Sequence, residues 1–166
     1  MRIREYKKED EKKVKELIKS VLTDIYGETS VGKWEDFSKY IIFYIIEEEN
    51  GEVIGTAGLK KINKDICKLK RMYVKCSLQR KGIGSKLLDK IIAYSQKMKF
   101  KKMILTTYPE MLNAIKFYGK KEFIIIKNAP DYYFTYPNKK EYNARQVVME
   151  RNLKWYKLNS ETNTKD

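Results

Sequence analysis

The chain has 166 residues, the size of one ordinary domain and small for two. Apolar residues make up 42% and aromatics 13%, enough to fill a core, while 36 Lys and Arg against 22 Asp and Glu give a formal charge of +14. There is no histidine, which excludes a Ser/His/Asp triad, a Cys/His dyad, a histidine general base and a His-ligated zinc site.

Arg2 to Tyr6 alternates and predicts a short first strand. A charged helix is expected from about Asp10 to Leu22, with Val14, Leu17, Ile18, Val21 and Leu22 on one face. The mixed run Lys7 to Lys13 reads as a solvated helix face. Residues 23–39 hold Gly27, Gly32, Trp34 and Phe37 and suggest a loop and then a short helix. Tyr40 to Glu48 and Val53 to Ile62 are strands joined at Glu49-Asn50-Gly51-Glu52, where Asn-Gly supplies the positive φ values of a tight hairpin. A turn at Asn63-Lys64-Asp65 leads into a strand from Ile66 to Lys75, completing an antiparallel meander.

The period then changes. Leu87, Leu88, Ile91, Ile92 and Met98 follow helical spacing from Ser85 to Met98, and a buried strand follows from Met103 to Tyr108. Pro109 and Glu110 open a helix to about Tyr118, which Gly119 helps to end, and Phe123 to Lys127 is a strand. Residues 128–142, with two prolines and five aromatics, form a loop, and the last strand runs from about Arg145 to Asn152. Strands and helices in this order predict a mixed α/β (α+β) sheet with helices packed on it.

Lysines are scattered along the whole chain rather than gathered in a tail, which argues against nucleic acid as the main ligand. Cys67 and Cys76 form no CxxC pair and are expected as free thiols, with no metal site. The longest apolar stretch, Tyr40 to Ile46, is too short to span a bilayer. The expected address is the cytoplasm.

The most informative segment is Gln79-Arg80-Lys81-Gly82-Ile83-Gly84-Ser85, between a strand and a helix. Two glycines one residue apart let successive N–H groups converge on an anion at a helix N-terminus, and Arg80, Lys81 and Lys86 add charge. A Walker A loop needs four residues between its glycines, and a dinucleotide fingerprint needs a third glycine where Leu87 stands, so neither applies. The glycines suit a plain loop end equally well.

At this segment the sequence resembles the GNAT superfamily of N-acetyltransferases. Gln79 to Gly84 matches that family's Gln/Arg-x-x-Gly-x-Gly/Ala pyrophosphate loop at every defined position, directly after the typical strand Leu69-Lys70-Arg71-Met72-Tyr73-Val74. Asn113-Ala114-Ile115-Lys116-Phe117-Tyr118 looks like the family's later tyrosine helix. The resemblance implies a single domain over residues 1–152 with a tail at 153–166. Its mostly antiparallel central sheet would have about six to seven strands, flanked by about four helices, with a cofactor cleft where the fourth and fifth strands splay apart.

In that family acetyl-CoA is the acyl donor. The resemblance implies that Gln79, Arg80, Lys81, Gly82, Ile83, Gly84 and Ser85 hold its pyrophosphate, and that Met72, Tyr73 and Val74 pair with its pantetheine. An N–H near Val74 would act as oxyanion donor. Asn113 and Phe117 would line the cofactor, and Tyr118 would be the general acid to the departing thiolate, since a phenol of pKa about 10 is protonated near neutrality.

The implied acceptor is a primary amine of a small molecule or of a protein or peptide, acetylated directly. Lys68 stands where some relatives carry a glutamate, so Glu47, Glu48, Glu49 and Glu110 remain candidates for the base. Where the family reads Gly-Phe this chain has Glu122-Phe123, and the turn there is expected to differ. Residues 23–39 and 128–142 carry the acceptor region, and the aromatic loop suits a substrate lid and a homodimer contact equally. Lys68 and Glu122 also motivate a noncatalytic acyl-CoA-binding regulatory module as the alternative, with a basic nucleic-acid-binding domain third.

Overall fold

A computed structural model describes residues 1–27, 34–134 and 139–153. Seven strands form one sheet: β1 (Arg2–Glu5), β2 (Ile42–Glu47), β3 (Val53–Lys61), β4 (Ile66–Val74), β5 (Lys102–Thr107), β6 (Ile124–Ile126) and β7 (Val147–Asn152). Their spatial order is β1-β2-β3-β4-β5-β7-β6, antiparallel at every contact except β4–β5. Three helices of some length, α1 (Glu11–Tyr26), α2 (Ile83–Lys97) and α3 (Leu112–Lys120), are joined by a short α4 (Lys140–Ala144). The expected single mixed α/β domain with a mostly antiparallel sheet is what forms.

The two faces of the sheet carry separate cores because alternate residues of each strand point to opposite sides. Phe43, Ile45 and Val53 pack with Val14, Leu17, Ile18 and Val21 of α1 and with Phe37. Tyr44, Ile46, Ala57, Leu59, Cys67 and Leu69 pack with Leu87, Leu88 and Ile91 of α2. Each such aliphatic side chain, fully buried, contributes about 1.5–3 kcal/mol.

Several local expectations are corrected. Asp10 is not on a solvated face: it is 3% exposed and accepts two hydrogen bonds from Arg4, at 2.7 and 2.8 Å, and one from the Lys7 N–H. Arg4 also donates to Glu47, which Arg2 grips as well, so α1 is tied to β1 and β2 through charge. Helix α1 runs one turn beyond Leu22, to a Gly27 at φ +79°. In the β2–β3 hairpin only Gly51 has positive φ; its N–H bonds to the Glu48 carbonyl, and the extra residue shifts the register at Glu47. Gly119 lies inside α3, which continues to Lys120. The 128–142 segment contains a single helical turn at Asp131–Tyr133 and the start of α4, while its residues 135–138 lie outside the described residues. So does the expected tail except Leu153, which is buried.

At the Glu122-Phe123 turn, a side-chain-bearing residue stands where the family's glycine was expected. Glu122 takes the left-handed conformation itself, at φ +64°, and its carboxylate accepts from Arg151 at 2.7 Å.

Candidate active site

β4 and β5 are registered at only three pairs, Ile66↔Lys102, Cys67↔Met103 and Lys68↔Ile104. Beyond Lys68 the two strands part. The cause lies three residues on. Between Thr56↔Tyr73 and Gly58↔Lys70 the β3–β4 register slips, so that Arg71 and Met72 together oppose Ala57, and Arg71 sits at φ +54°. This is a β-bulge, which bends and twists the strand that carries it. Thr56, fully buried, braces it by donating its hydroxyl to the Arg71 carbonyl at 2.9 Å.

The bulge restores the pleat with a shifted phase. Cys67 and Leu69 face α2 before it, and Met72 and Val74 face the same core after it. Tyr73 faces the α1 side. Backbone direction matters too. The Lys75 N–H donates to the Ile54 carbonyl across β3, so the N–H and C=O of Val74, one residue earlier, point to the opposite side, from which β5 has departed. There the Gln79 side-chain amide donates to the Val74 carbonyl at 3.1 Å, and no strand among the described residues partners the Val74 N–H.

The glycine segment follows directly. Arg80 and Gly82 have positive φ, 63° and 79°, and Gly82 is the N-cap of α2 with no side chain bonded to the cap. The first-turn N–H groups of Ile83, Gly84 and Ser85 therefore point outward uncovered, at the positive end of a 15-residue helix. Ile83 gives its side chain to the core and leaves only its backbone for binding. A Cβ on Gly82 would meet nothing within 4 Å, which marks open space over the turn. Arg80 and Lys81 are exposed, and neither they nor Lys86 form an ion pair among the described residues.

Gly84 joins three elements. A Cβ there would lie 3.6 Å from Met72 Cε, 3.7 Å from Val74 Cγ2 and 3.7 Å from Phe117 Cζ. The loop, the end of β4 and α3 thus converge at Gly84, where a Cβ would make ordinary contact and anything larger would press on all three. Tyr118 packs edge-on against Phe117 and Phe123, with centroids 5.2 and 5.7 Å away. Burial, with the Tyr73 phenol next in effect, pushes its phenol well above the usual tyrosine value. Among the described residues its hydroxyl makes no hydrogen bond. Asn113 is exposed in the first turn of α3 and is not brought into this cluster. Ser85 is half-buried, with Asp89 at 3.5 Å.

The α1 side of β4 holds a group that the motifs did not indicate. Glu35 accepts from Lys70 at 2.5 Å and from the Tyr40 hydroxyl, with Lys60 at 3.5 Å and Arg71 at 3.8 Å. Tyr40 reaches it because Gly58 has no side chain: a Cβ there would stand 2.5 Å from the Tyr40 ring. Against the opposing effect of burial, the bonds from Lys70 and Tyr40 hold the Glu35 carboxyl down at about 2. Lys68, 3% exposed, donates to the Tyr133 carbonyl at 2.5 Å and ties the 128–134 segment to the sheet. Burial, with Lys70 next, pushes its ammonium down to about 8.

Among the expected bases, Glu47 is occupied by Arg2 and Arg4, whose hydrogen bonds lower its carboxyl. Glu110 lies within electrostatic reach of Tyr26, as do Tyr73 and Tyr108. The signal that could have revealed the α1-side cluster is in β4 itself: two lysines alternate at 68 and 70 in a central strand, and the apolar positions 67, 69, 72 and 74 contain one step of three.

Comparison with known proteins agrees with this geometry. Residues 11–123 match the model of the Acetyltransferase (GNAT) family. An uncharacterised N-acetyltransferase of Schizosaccharomyces pombe is 29% identical over 98 residues, 58% of this chain and 59% of that protein. The chain spans about half the length of the curated relatives it matches. Among solved structures, a GNAT-family acetyltransferase of Staphylococcus aureus superposes with a TM-score of 0.77 at 23% identity, covering 92% of this chain and 99% of that one. The PaiA N-acetyltransferase of Thermoplasma acidophilum, solved in complex with coenzyme A, gives 0.69 at 18% identity, covering 91% and 98%. At these identities the solved structures establish the fold.

Proposed function

Because the chain belongs to the GNAT family of acetyltransferases, we propose that it transfers the acetyl group of acetyl-CoA directly to a primary amine of a small molecule, protein or peptide, and that it does so in the cytoplasm. The observation that carries this reading is the convergence at Gly84 of the uncapped α2 N-terminus, the Met72–Val74 end of β4 and Phe117. The donor fits these residues. It supplies an activated thioester, and the coenzyme A held by the Thermoplasma neighbour supports its use.

The chain's own groups divide the work. The N–H groups of Ile83, Gly84 and Ser85, with Arg80 and Lys81, hold pyrophosphate charge. The backbone of Met72 and Val74 takes the pantetheine, and the Val74 N–H, without a strand partner among the described residues, stabilises charge on the carbonyl oxygen under attack. Tyr118 Oη carries the proton that the leaving sulfur needs. Its raised pKa keeps that proton in place through the neutral range, and no protein acceptor competes for it among the described residues.

Calorimetric titration of acetyl-CoA into wild type and Gly84→Val tests the cradle. Valine methyls would project among Met72, Val74 and Phe117, so the variant is expected to fold and to lose micromolar binding at least thirtyfold. Wild type that folds and binds nothing overturns the reading. Wild type that binds but releases no CoA with a broad amine panel would be a noncatalytic acyl-CoA-binding module.

A further inference from the structure

On the α1 side of β4, Lys60, Lys68, Lys70 and Arg71 lie within mutual electrostatic reach of one carboxylate, Glu35. Both oxygens of Glu35 are already engaged, Oε1 by Lys70 and Oε2 by Tyr40. Arg71 is the most loosely held member. It has the Tyr40 hydroxyl within reach and keeps only 20% of its side-chain surface, but its Nε is buried with no hydrogen-bond partner and stands 3.8 Å from Glu35, its one carboxylate partner among the described residues. A guanidinium N–H withdrawn from water without an acceptor costs free energy, and so does a surplus of positive charge in one partly buried group. Such a group is stable with a second anion beside it.

The place of this surplus is informative. Arg71 is the bulged residue, on the strand edge that β5 abandons. Tyr73, two residues on, is close enough to influence both Arg71 and Tyr118 electrostatically. Tyr73 thus stands between the Arg71 side of the sheet and the phenol on the other. The pyrophosphate cradle lies on the α2 face, so an anion that pairs with Arg71 is not the donor's pyrophosphate. It belongs to whatever approaches the reacting carbon from the α1 face.

Building on the acetyltransferase reading, we propose that the acceptor is an amine bearing a carboxylate, and that Arg71 binds this carboxylate, with Lys60 contributing charge at the edge of the group. The planar fork of arginine matches a carboxylate through two parallel N–H bonds. Free amino acids and peptides with a nearby C-terminal carboxylate share this chemistry. Tyr73, Tyr108 and Glu110 lie within electrostatic reach of Tyr26, and their oxygens would accept from an ammonium rather than bind a second anion.

The test compares matched acceptors. Acetyl-CoA-dependent thiol release by the full chain is measured with the common amino acids, their α-amides, and dipeptides with their amides. Each preferred acid should exceed its own amide at least tenfold in kcat/KM, mostly through KM. Arg71→Gln should shrink that ratio by about ten- to a hundredfold, and Arg71→Lys by less. Lys60→Gln, at the accessible edge, should move the ratio the same way should Arg71→Gln not fold. A preference confined to the amino acids or to the dipeptides tells the two sources apart. Acids that do no better than their amides overturn the proposal while leaving the transferase reading intact. Where no amine releases thiol, the transferase reading fails and binding decides: with CoA present, N-acetyl amino acids should raise the Tm of wild type more than their amides do, and less in Arg71→Gln. Equal shifts overturn the carboxylate site.

Discussion

On the α2 side of β4 the candidate site is made of what side chains leave uncovered: the N–H groups of a helix start, two glycines, and cations standing in solvent. On the α1 side, side chains from three separate segments, Glu35 and Tyr40, Lys60, and Lys70 with Arg71, are brought together and largely withdrawn from water. The first arrangement suits a ligand that brings its own charge and needs only a frame. The second fixes charges in advance and so selects among ligands. One strand carries both because its bulge, at Arg71, turns Met72 and Val74 to one side and Tyr73 to the other.

The comparison can be broken most sharply where the two sides meet, at Tyr118. If its hydroxyl is the proton donor, Tyr118→Phe removes one oxygen from an aromatic cluster that otherwise keeps its packing with Phe117 and Phe123. We expect kcat to fall about 10²–10⁴-fold, the range of general acid catalysis, with acetyl-CoA affinity within about twofold. Steady-state kinetics and calorimetry on the same preparation check this. A variant that keeps full kcat across pH removes Tyr118 from the chemistry and leaves the cleft a binding feature only.

The pre-organised side is sharpened by removing its counter-charge. Glu35→Gln leaves Lys60, Lys70 and Arg71 facing one another. Breaking a fully buried pair costs about 3–5 kcal/mol, but Glu35 keeps a side-chain exposure of 22%, so about 2 kcal/mol is expected. The pH dependence fixes the sign. The folded carboxyl is held near 2 against an ordinary 4.5, so its stabilisation is complete above about pH 4.5 and is lost as pH falls toward 2. Urea unfolding at pH 7 and pH 3 should therefore show a smaller gap between variant and wild type at the lower pH. Asp10 and Glu47, also lowered by their arginines, weaken both proteins alike in acid.

These two sides were unequally legible in the sequence. The cradle could be read because it is local: Gln79 to Gly84 is contiguous, and its chemistry resides in backbone that two glycines release. The sheet could be read from period-two patterning and the Asn50-Gly51 turn, although Gly51 alone takes the positive φ. The Glu35 group could not, since its members are far apart in the chain and meet only after β3, β4 and the 34–40 segment have packed. Lys68 shows the same limit. It looks like a vacancy for a base, whereas in the fold its ammonium holds the Tyr133 carbonyl and anchors the following loop. The bulge was written in the three-residue step from Leu69 to Met72, but a single slipped step is weak beside the alternation around it. Glu122 is a further case: without a glycine it still takes the left-handed conformation that glycine favours, and Arg151 holds its side chain.

Among the described residues four that are not glycine have positive φ, and they divide along the same line: Arg71 and Arg80 flank the site, while Lys99 and Glu122 lie at helix ends. Left-handed backbone at a side-chain-bearing residue costs about 1 kcal/mol and persists where the surroundings impose it. After α2, Lys99 is the residue between a Met98 N–H bonded to Tyr94 and a Phe100 N–H bonded to Ser95, a helix end where glycine is the usual occupant. Its side chain is exposed and makes no ion pair among the described residues. Lys99→Gly should therefore stabilise the fold by about 0.5–1 kcal/mol, partly offset by the freer unfolded chain, with kinetics unchanged. Arg71→Gly relieves the same backbone strain and also the surplus charge, so it should cost little stability or gain some while losing the preference for acidic acceptors. Chemical denaturation of both variants, set beside their acid-to-amide ratios, separates strain kept for the site from strain that is incidental to a helix end. If Arg71→Gly retained the ratio, the bulge would be serving only to part β4 from β5, and the guanidinium would be dispensable.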